Sequence, residues 1–362
     1  APEKNPAKFA LFVSFFPQLI QGPIARFDQL ENQLVTPHRF DLDGIERGLL
    51  LMLWGWFKKK VIADRALPLV EAVFGSQSAY GGAVIVVGVL FYSLQQYTDF
   101  SGGIDLVTGI AQLFGIQLAP NFKRPYFSVS LGDFWRRWHI SLGSWMRDYV
   151  FYPFALTRPV SRMSKALKKK AGTHIARALP AALGNILVFL LVGVWHGAQM
   201  NYVLWGLYNG VILAFTALVE PVYKRMNDRL PRLTASGGFH VFRILRTFLV
   251  VNIGWYFDRC VRVSDAFAML HKTFFAFNAR QLFDGTLDTL GLAAKDYRIL
   301  LVATVILFVV SFMQERGVKI RDFVLSRPLA LRWALLYAFI FFVLATFGGS
   351  NVAASGFMYA VF

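Results

Sequence analysis

The sequence predicts an all-α polytopic integral membrane protein, and three observations carry that fold class. Of 362 residues, 56% are hydrophobic and only 16% charged, with a mean hydropathy of +0.47, whereas soluble domains carry about a quarter charged residues. The chain also holds 36 Phe, 13 Tyr and 9 Trp, more than one aqueous core normally accommodates. Its apolar residues gather in runs separated by short basic clusters, the pattern of membrane segments flanked by positive-inside loops. These features exclude disordered and collagen-like chains, and a single cysteine, Cys260, excludes a disulfide framework. The formal charge of +17 does not call for nucleic acid. Lys and Arg interleaved with apolar runs are explained by anionic headgroups, which makes membrane lipids the partners.

In chain order, a polar stretch at 1–8 gives way to apolar residues at 9–20, with no basic and apolar leader after Ala1, so the chain is read as a fragment. Eight runs are then predicted to enter the bilayer: 48–57, 82–97, 104–118, 186–194, 202–218, 248–257, 299–312 and 330–347. Crossing about 30 Å of hydrocarbon takes roughly 20 helical residues. The shorter runs are therefore predicted to tilt, to extend into polar flanks, or to form short re-entrant or interfacial helices. Basic clusters at 58–60, 158–170, 224–232, 243–246 and 316–321 are predicted to be cytoplasmic, with 158–177 as the clearest loop. No internal repeat or low-complexity tract divides the chain, so 1–362 reads as a single multi-pass domain of the cell membrane.

Polar side chains inside membrane segments are costly and suggest function. Gln95 to Gly103, with Asp99 and the nearby Asp105, interrupts an apolar run at paired glycines, and reads equally as interhelical packing or as the lining of a cavity. The segment 133–153 is predicted as one amphipathic helix in the headgroup plane, with Trp135, Trp138, His139 and Leu142 on one face. Interface seating does not require its Arg136-Arg137-Trp138-His139 cluster or the Arg147-Asp148 pair, which offer donors for phosphate and a group titrating near neutrality. His196, in Val194-Trp195-His196-Gly197, ends another apolar run; from the residues alone it is either a catalytic imidazole or a satisfied packing histidine. Asn252 reads as a packing amide. No metal site is predicted, since His38, His174, His240 and His271 show no ligand spacing. A serine-nucleophile elbow, a Walker loop and a dinucleotide fingerprint are all missing, against a serine hydrolase, an ATP-driven pump and a dinucleotide enzyme.

Taken in order, 15–24 (Phe-Phe-Pro-Gln-Leu-Ile-Gln-Gly-Pro-Ile), 97–102 (Tyr-Thr-Asp-Phe-Ser-Gly), Asn121-Phe122, Arg124-Pro125-Tyr126, 134–142 (Phe-Trp-Arg-Arg-Trp-His-Ile-Ser-Leu), Arg147-Asp148-Tyr149 and Trp195-His196-Gly197 resemble the membrane-bound O-acyltransferase family. The similarity is to its bacterial branch of alginate O-acetyltransferases and teichoic acid D-alanyl transfer proteins. It implies a multi-helix bundle around a buried tunnel, and it implies that membrane helices preceding 15–19 are missing here. It also implies that His196 is the catalytic histidine and His139 a second active-site histidine, with Trp135, Arg136, Arg137, Trp138, Asp99, Trp195 and Asn121 binding substrate or lining the tunnel. The implied reaction moves an acyl group, acetyl preferred, from a cytoplasmic thioester to a hydroxyl of an extracytoplasmic polysaccharide. The donor is acyl-CoA or an acyl-carrier protein, no cofactor is bound, and other envelope-modification proteins are candidate partners. D-alanyl transfer to teichoic acid is the near alternative. A polytopic transporter and a non-catalytic scaffold for polysaccharide assembly are the rival classes.

Overall fold

The structure, a computed structural model, describes residues 3–347; residues 1, 2 and 348–362 of the expected single domain lie outside the described residues. Among the described residues there are helices and turns but no strand. The main helices are α1 (Pro6–Ser14), α2 (Phe27–Val35), α3 (Leu42–Trp56), α4 (Asp64–Gly75), α5 (Gly82–Leu113), α6 (Leu131–Arg137) and α7 (Ile140–Met146). They continue as α8 (Arg158–His196), α9 (Met200–Leu218), α10 (Glu220–Arg229), α11 (Gly237–Arg259), α12 (Val263–Phe275), α13 (Ala294–Glu315) and α14 (Leu329–Ala345). Helices α8, α9 and α13 are each long and apolar enough to cross a membrane, and α14 is a shorter apolar helix. The chain forms two compact units, Ala1–Asn121 with Ala276–Phe362, and Phe122–Phe275.

In the first unit, α3 and α5 meet backbone to backbone. A Cβ on Gly55 would come to 2.7 Å from the Gly102 carbonyl oxygen, and one on Gly48 to 2.8 Å from that of Gly109. Close approach of this kind is how helices associate where no water is left to expel. It explains a departure from the sequence reading. The runs 82–97 and 104–118 are not separate segments, because α5 passes through Gly102-Gly103 as one helix of 32 residues. The glycines serve contact rather than a break.

The lysines at 58–60 correct a second expectation. They lie not in a cytoplasmic loop but in a π-helical stretch, Phe57–Ala63, that joins α3 to α4 without interruption. Lys58 and Lys59 are buried. Lys58 Nζ reaches Asp105 and the Ser101 hydroxyl, both at 2.8 Å. Lys59 pairs with Asp99 and, at 2.9 Å, with Asp64, which also takes Lys60 at 2.7 Å. Buried charges persist only when paired, so this positive cluster is compensated internally and is no topology signal.

In the second unit, 158–177 is likewise helical. Ala166, Leu167 and three lysines are good helix formers however charged they are, and α8 is broken only at Gly172, whose φ of 86° and ψ of 171° lie outside the helical region. Beyond that break α8 runs antiparallel to α9. A Cβ on Gly206 would strike the Phe189 carbonyl oxygen, one on Gly193 would strike that of Tyr202, and one on Gly210 would come to 2.9 Å from the Ile186 Cα. His174 Nε2 contacts the Leu218 carbonyl oxygen at 3.0 Å, closing the far end of the hairpin. Asn252 donates to the Phe248 carbonyl at 2.8 Å inside α11, in keeping with a packing amide.

Overpacking a tight contact costs about 1–3 kcal/mol, so Gly206→Val is expected to lower the melting temperature of the purified protein and its monodisperse yield. Gly237→Ala, at a position with open space around it, is expected to leave both unchanged. Equal behaviour of the two variants would contradict the glycine-packed hairpin.

Candidate active site

The segment 133–153 is not one helix. Helix α6 ends at Arg137, Trp138 is extended, and His139 adopts φ 46° and ψ 53° before α7 begins. A non-glycine residue in the left-handed region costs about 1 kcal/mol or more and persists where surrounding structure holds it. The predicted common face of Trp135, Trp138, His139 and Leu142 is therefore split. Trp138, expected to seek the interface, is buried at 3% exposure, stacked on Phe134 at 5.4 Å and packed against Trp255 at 5.7 Å and Phe122 at 5.1 Å. An interfacial character survives only in the second half, where Trp145, Tyr149 and Tyr152 are exposed.

The break turns His139 inward, where it is buried. Its neighbour across the unit is Trp195, with ring centroids 6.3 Å apart, and Trp195 in turn lies 5.0 Å from the ring of His196. Thus the two histidines flank one indole. His196 is the last residue of α8 and half-buried. Tyr202 stacks on it at 6.0 Å and 28°, and Trp205 meets it edge-on at 5.2 Å. Gly197 makes room for this closure, since a Cβ there would come to 2.8 Å from the Tyr202 ring.

Helix α6 is fastened to the same box through Trp135. Its ring lies edge-on to Trp205 at 5.6 Å and to Phe189 at 5.0 Å. Its Nε1 donates to Asn209 Oδ1 at 3.2 Å, while Asn209 Nδ2 donates to the Trp205 carbonyl at 2.9 Å. The arginines differ from each other. Arg137 is held by Asp133 at 3.2 Å, and its carbonyl accepts from the Lys123 amide at 2.9 Å. The Arg136 side chain is 71% exposed and meets Asp133 at 3.4 Å. Burial, and after it the neighbouring His196, pushes the His139 imidazole down to about 3, so His139 is neutral across the physiological range.

The second unit therefore gathers His139, His196, Trp135 and Trp195, with Trp138 behind them and Arg136 and Arg137 on the helix that carries Trp135. Asp99 and Asn121 belong to the first unit. Asp99 is taken up by Lys59, and Asn121 is buried in the non-helical stretch that follows α5. Tyr202, Trp205 and Asn209 did not stand out in the sequence. A signal was present, since Asn201, Trp205 and Asn209 recur every four residues and mark one face of an apolar helix. A buried and a half-buried imidazole set among indole faces suit proton transfer beside an apolar chain or thioester.

The profile of the MBOAT, membrane-bound O-acyltransferase family matches residues 4–253, which include both histidines. The chain is 35% identical over 280 residues to the probable alginate O-acetylase AlgI of Pseudomonas syringae pv. tomato, covering 77% of this chain and 48% of that protein. It is 33% identical over 264 residues to the peptidoglycan O-acetyltransferase of Helicobacter pylori, with 72% and 45% covered. It is 28% identical over 255 residues to the teichoic acid D-alanyltransferase of Bacillus subtilis, with 68% and 59% covered. The chain thus spans about half the length of the curated relatives it matches.

A His139 held neutral makes stability fall with acid. Below about pH 6.5 the unfolded state takes up a proton that the folded state refuses until about pH 3. The stabilisation is complete above 6.5 and is lost by about 1.4 kcal/mol for each pH unit below it. The melting temperature of the purified protein should fall from pH 7 to pH 5, and His139→Gln should flatten that slope. An identical slope in the variant would place the imidazole in a solvated setting instead.

Proposed function

The chain belongs to the membrane-bound O-acyltransferase family, and on that premise we propose that it transfers an acyl group, acetyl by preference, from a thioester donor to a hydroxyl of an envelope polysaccharide. One observation carries the reading: His196 closes an apolar, membrane-length helix inside a box of Trp195, Tyr202 and Trp205, with His139 on the other side of the shared indole. The preference for acetyl follows the relatives, since those named O-acetylase or O-acetyltransferase are the more similar ones. D-alanyl transfer would use the same chemistry.

A sugar hydroxyl is a poor nucleophile at neutral pH, and imidazole is the commonest side chain that removes its proton as it attacks. In the proposed step a nitrogen of His196 takes the hydroxyl proton while the oxygen adds to the thioester carbonyl. Collapse of the tetrahedral intermediate breaks the carbon–sulfur bond, and the imidazolium returns its proton to the departing thiolate. An ester and a free thiol result, and His196 is neutral again. His139, neutral and buried beside Trp195, donates or accepts a hydrogen bond at the reacting group without competing for the proton. Arg136, exposed on α6, suits the phosphates of a coenzyme A or phosphopantetheine arm, whereas Arg137 is a positioning residue through Asp133. Asp99 is assigned to helix packing through its pair with Lys59. The setting is the cell membrane, with donor arriving from the cytoplasmic side and acceptor from the opposite one; the donor carrier and other envelope-modification proteins are the partners.

Membranes bearing the protein, supplied with labelled acetyl-CoA and a panel of polysaccharide acceptors, test this directly. Label should enter an acceptor in an acceptor-dependent manner, and His196→Ala should reduce it by about 10²–10⁴ at wild-type protein yield, the range that general acid–base catalysis supplies. Label crossing the membrane without esterification would mark a transporter. Turnover within about threefold of wild type in His196→Ala would remove the histidine from the chemistry.

A further inference from the structure

Apart from the histidine box, the second unit contains a cavity of about 300 Å³ walled by residues 129–131, the end of α9, α10 and the first half of α11. Its wall mixes two chemistries. Leu131, Ile212, Phe215 and Val250 are apolar lining, Arg243 and Arg246 are cationic lining, and no Asp or Glu contributes to the wall. Spaced three apart on α11, the two guanidiniums share a helix face. One Nη2 of Arg246 donates to the Val129 carbonyl at 3.0 Å, and a guanidinium has five N–H donors in all.

The surroundings decide what fits. Phe215, Phe242, Leu245 and Leu249 are all more than half exposed, and α9 is a helix of membrane-crossing length. Phe215 on the cavity wall and Phe242, Leu245 and Leu249 on the adjoining face of α11 are thus turned toward hydrocarbon, and arginines on the same helix sit at headgroup level. A soluble anion would satisfy the arginines and leave the apolar lining uncovered. An anionic phospholipid would satisfy both.

We propose that this cavity is a binding site for one phospholipid with a net negative headgroup, its phosphate on Arg243 and Arg246 and the start of an acyl chain between Ile212, Phe215 and Val250. The lipid enters sideways from the bilayer. Occupancy bears on the catalytic segment through a short relay: Arg246 holds the Val129 carbonyl, the Val129 amide donates to Asp133 Oδ2 at 3.3 Å, and Asp133, which holds Arg137, donates its own amide at 3.1 Å to Ser130 Oγ, the N-cap of α6. A headgroup that fixes Arg246 thereby steadies the turn from which α6, Trp135 and His139 follow. The binding claim stands on the cavity and on the membrane setting, independently of the proposed acyl transfer.

Native mass spectrometry of the delipidated protein, titrated with phosphatidylglycerol or phosphatidylcholine of matched chains, reads occupancy directly. One tightly held phosphatidylglycerol is expected, bound about tenfold better than phosphatidylcholine, whose choline cation beside the same phosphate is repelled by the two arginines. Arg243→Gln should reduce that preference to about twofold or less. Thr216→Phe, which fills the cavity and leaves both arginines in place, should weaken both lipids and guards against a folding defect in the first variant. An undiminished preference in Arg243→Gln, or unchanged binding in Thr216→Phe, would overturn the site. Displacement of the lipid by millimolar inorganic phosphate would also overturn it, in favour of a soluble-anion site.

Discussion

Between helices surrounded by lipid there is no water to release on contact, so association rests on how closely backbones approach and on pairing whatever polar groups the approach buries. Both units are built on that constraint. In the first, Gly48, Gly55, Gly102 and Gly109 bring α3 against α5, and the lysines that follow α3 find Asp99 and Asp105 on the same partner helix. In the second, Gly193, Gly206 and Gly210 close the α8–α9 hairpin. Everything around His196 depends on this closure, since Tyr202 and Trp205 reach its ring only because no side chain separates the two backbones. A methyl group at Gly206 would therefore act on the imidazole without touching it.

The same constraint explains how Trp135 on α6 and His139 after it come to be held on an irregular backbone. Irregular backbone in a membrane protein is tolerated where protein buries it. Here Phe134, Trp138 and Trp255 fill the space beneath the turn, and Asn209 pins Trp135 to α9. Against that base His139 can hold a left-handed conformation. The strain is spent in pointing one imidazole toward the indole that the other imidazole also touches.

Much of this was legible in the residues. The hydropathy and the aromatic content specify a polytopic helical chain, while Trp195-His196-Gly197 at the end of an apolar run marked His196 for attention without deciding between chemistry and packing. Other features were not legible, for identifiable reasons. Glycine pairs at 102–103 read as a break because a glycine needed for close approach looks the same, in one sequence, as a glycine needed for a turn. Lys58 and Lys59 read as loop residues because Asp105 and Asp99, which pair with them, lie 47 and 40 positions downstream on another helix. The left-handed turn at His139 was not legible, since histidine, though it favours positive φ more than most residues, adopts it only in a minority of cases and one sequence does not mark which. Arg158 to Lys170 read as a loop because a dense basic run resembles a solvated connector, although its lysines are also good helix formers.

The most direct test of His196 as the general base uses the acidity of the acceptor. Acyl transfer by wild type and by His196→Gln would be compared across acceptors whose hydroxyl pKa falls from that of an alcohol to that of a phenol, at saturating donor. A base matters less as the proton becomes easier to lose, so the defect of the variant should shrink by about tenfold or more over the series, with donor KM unchanged. A defect of constant size across all acceptors would contradict the assignment and leave His196 with a role in seating substrate alone.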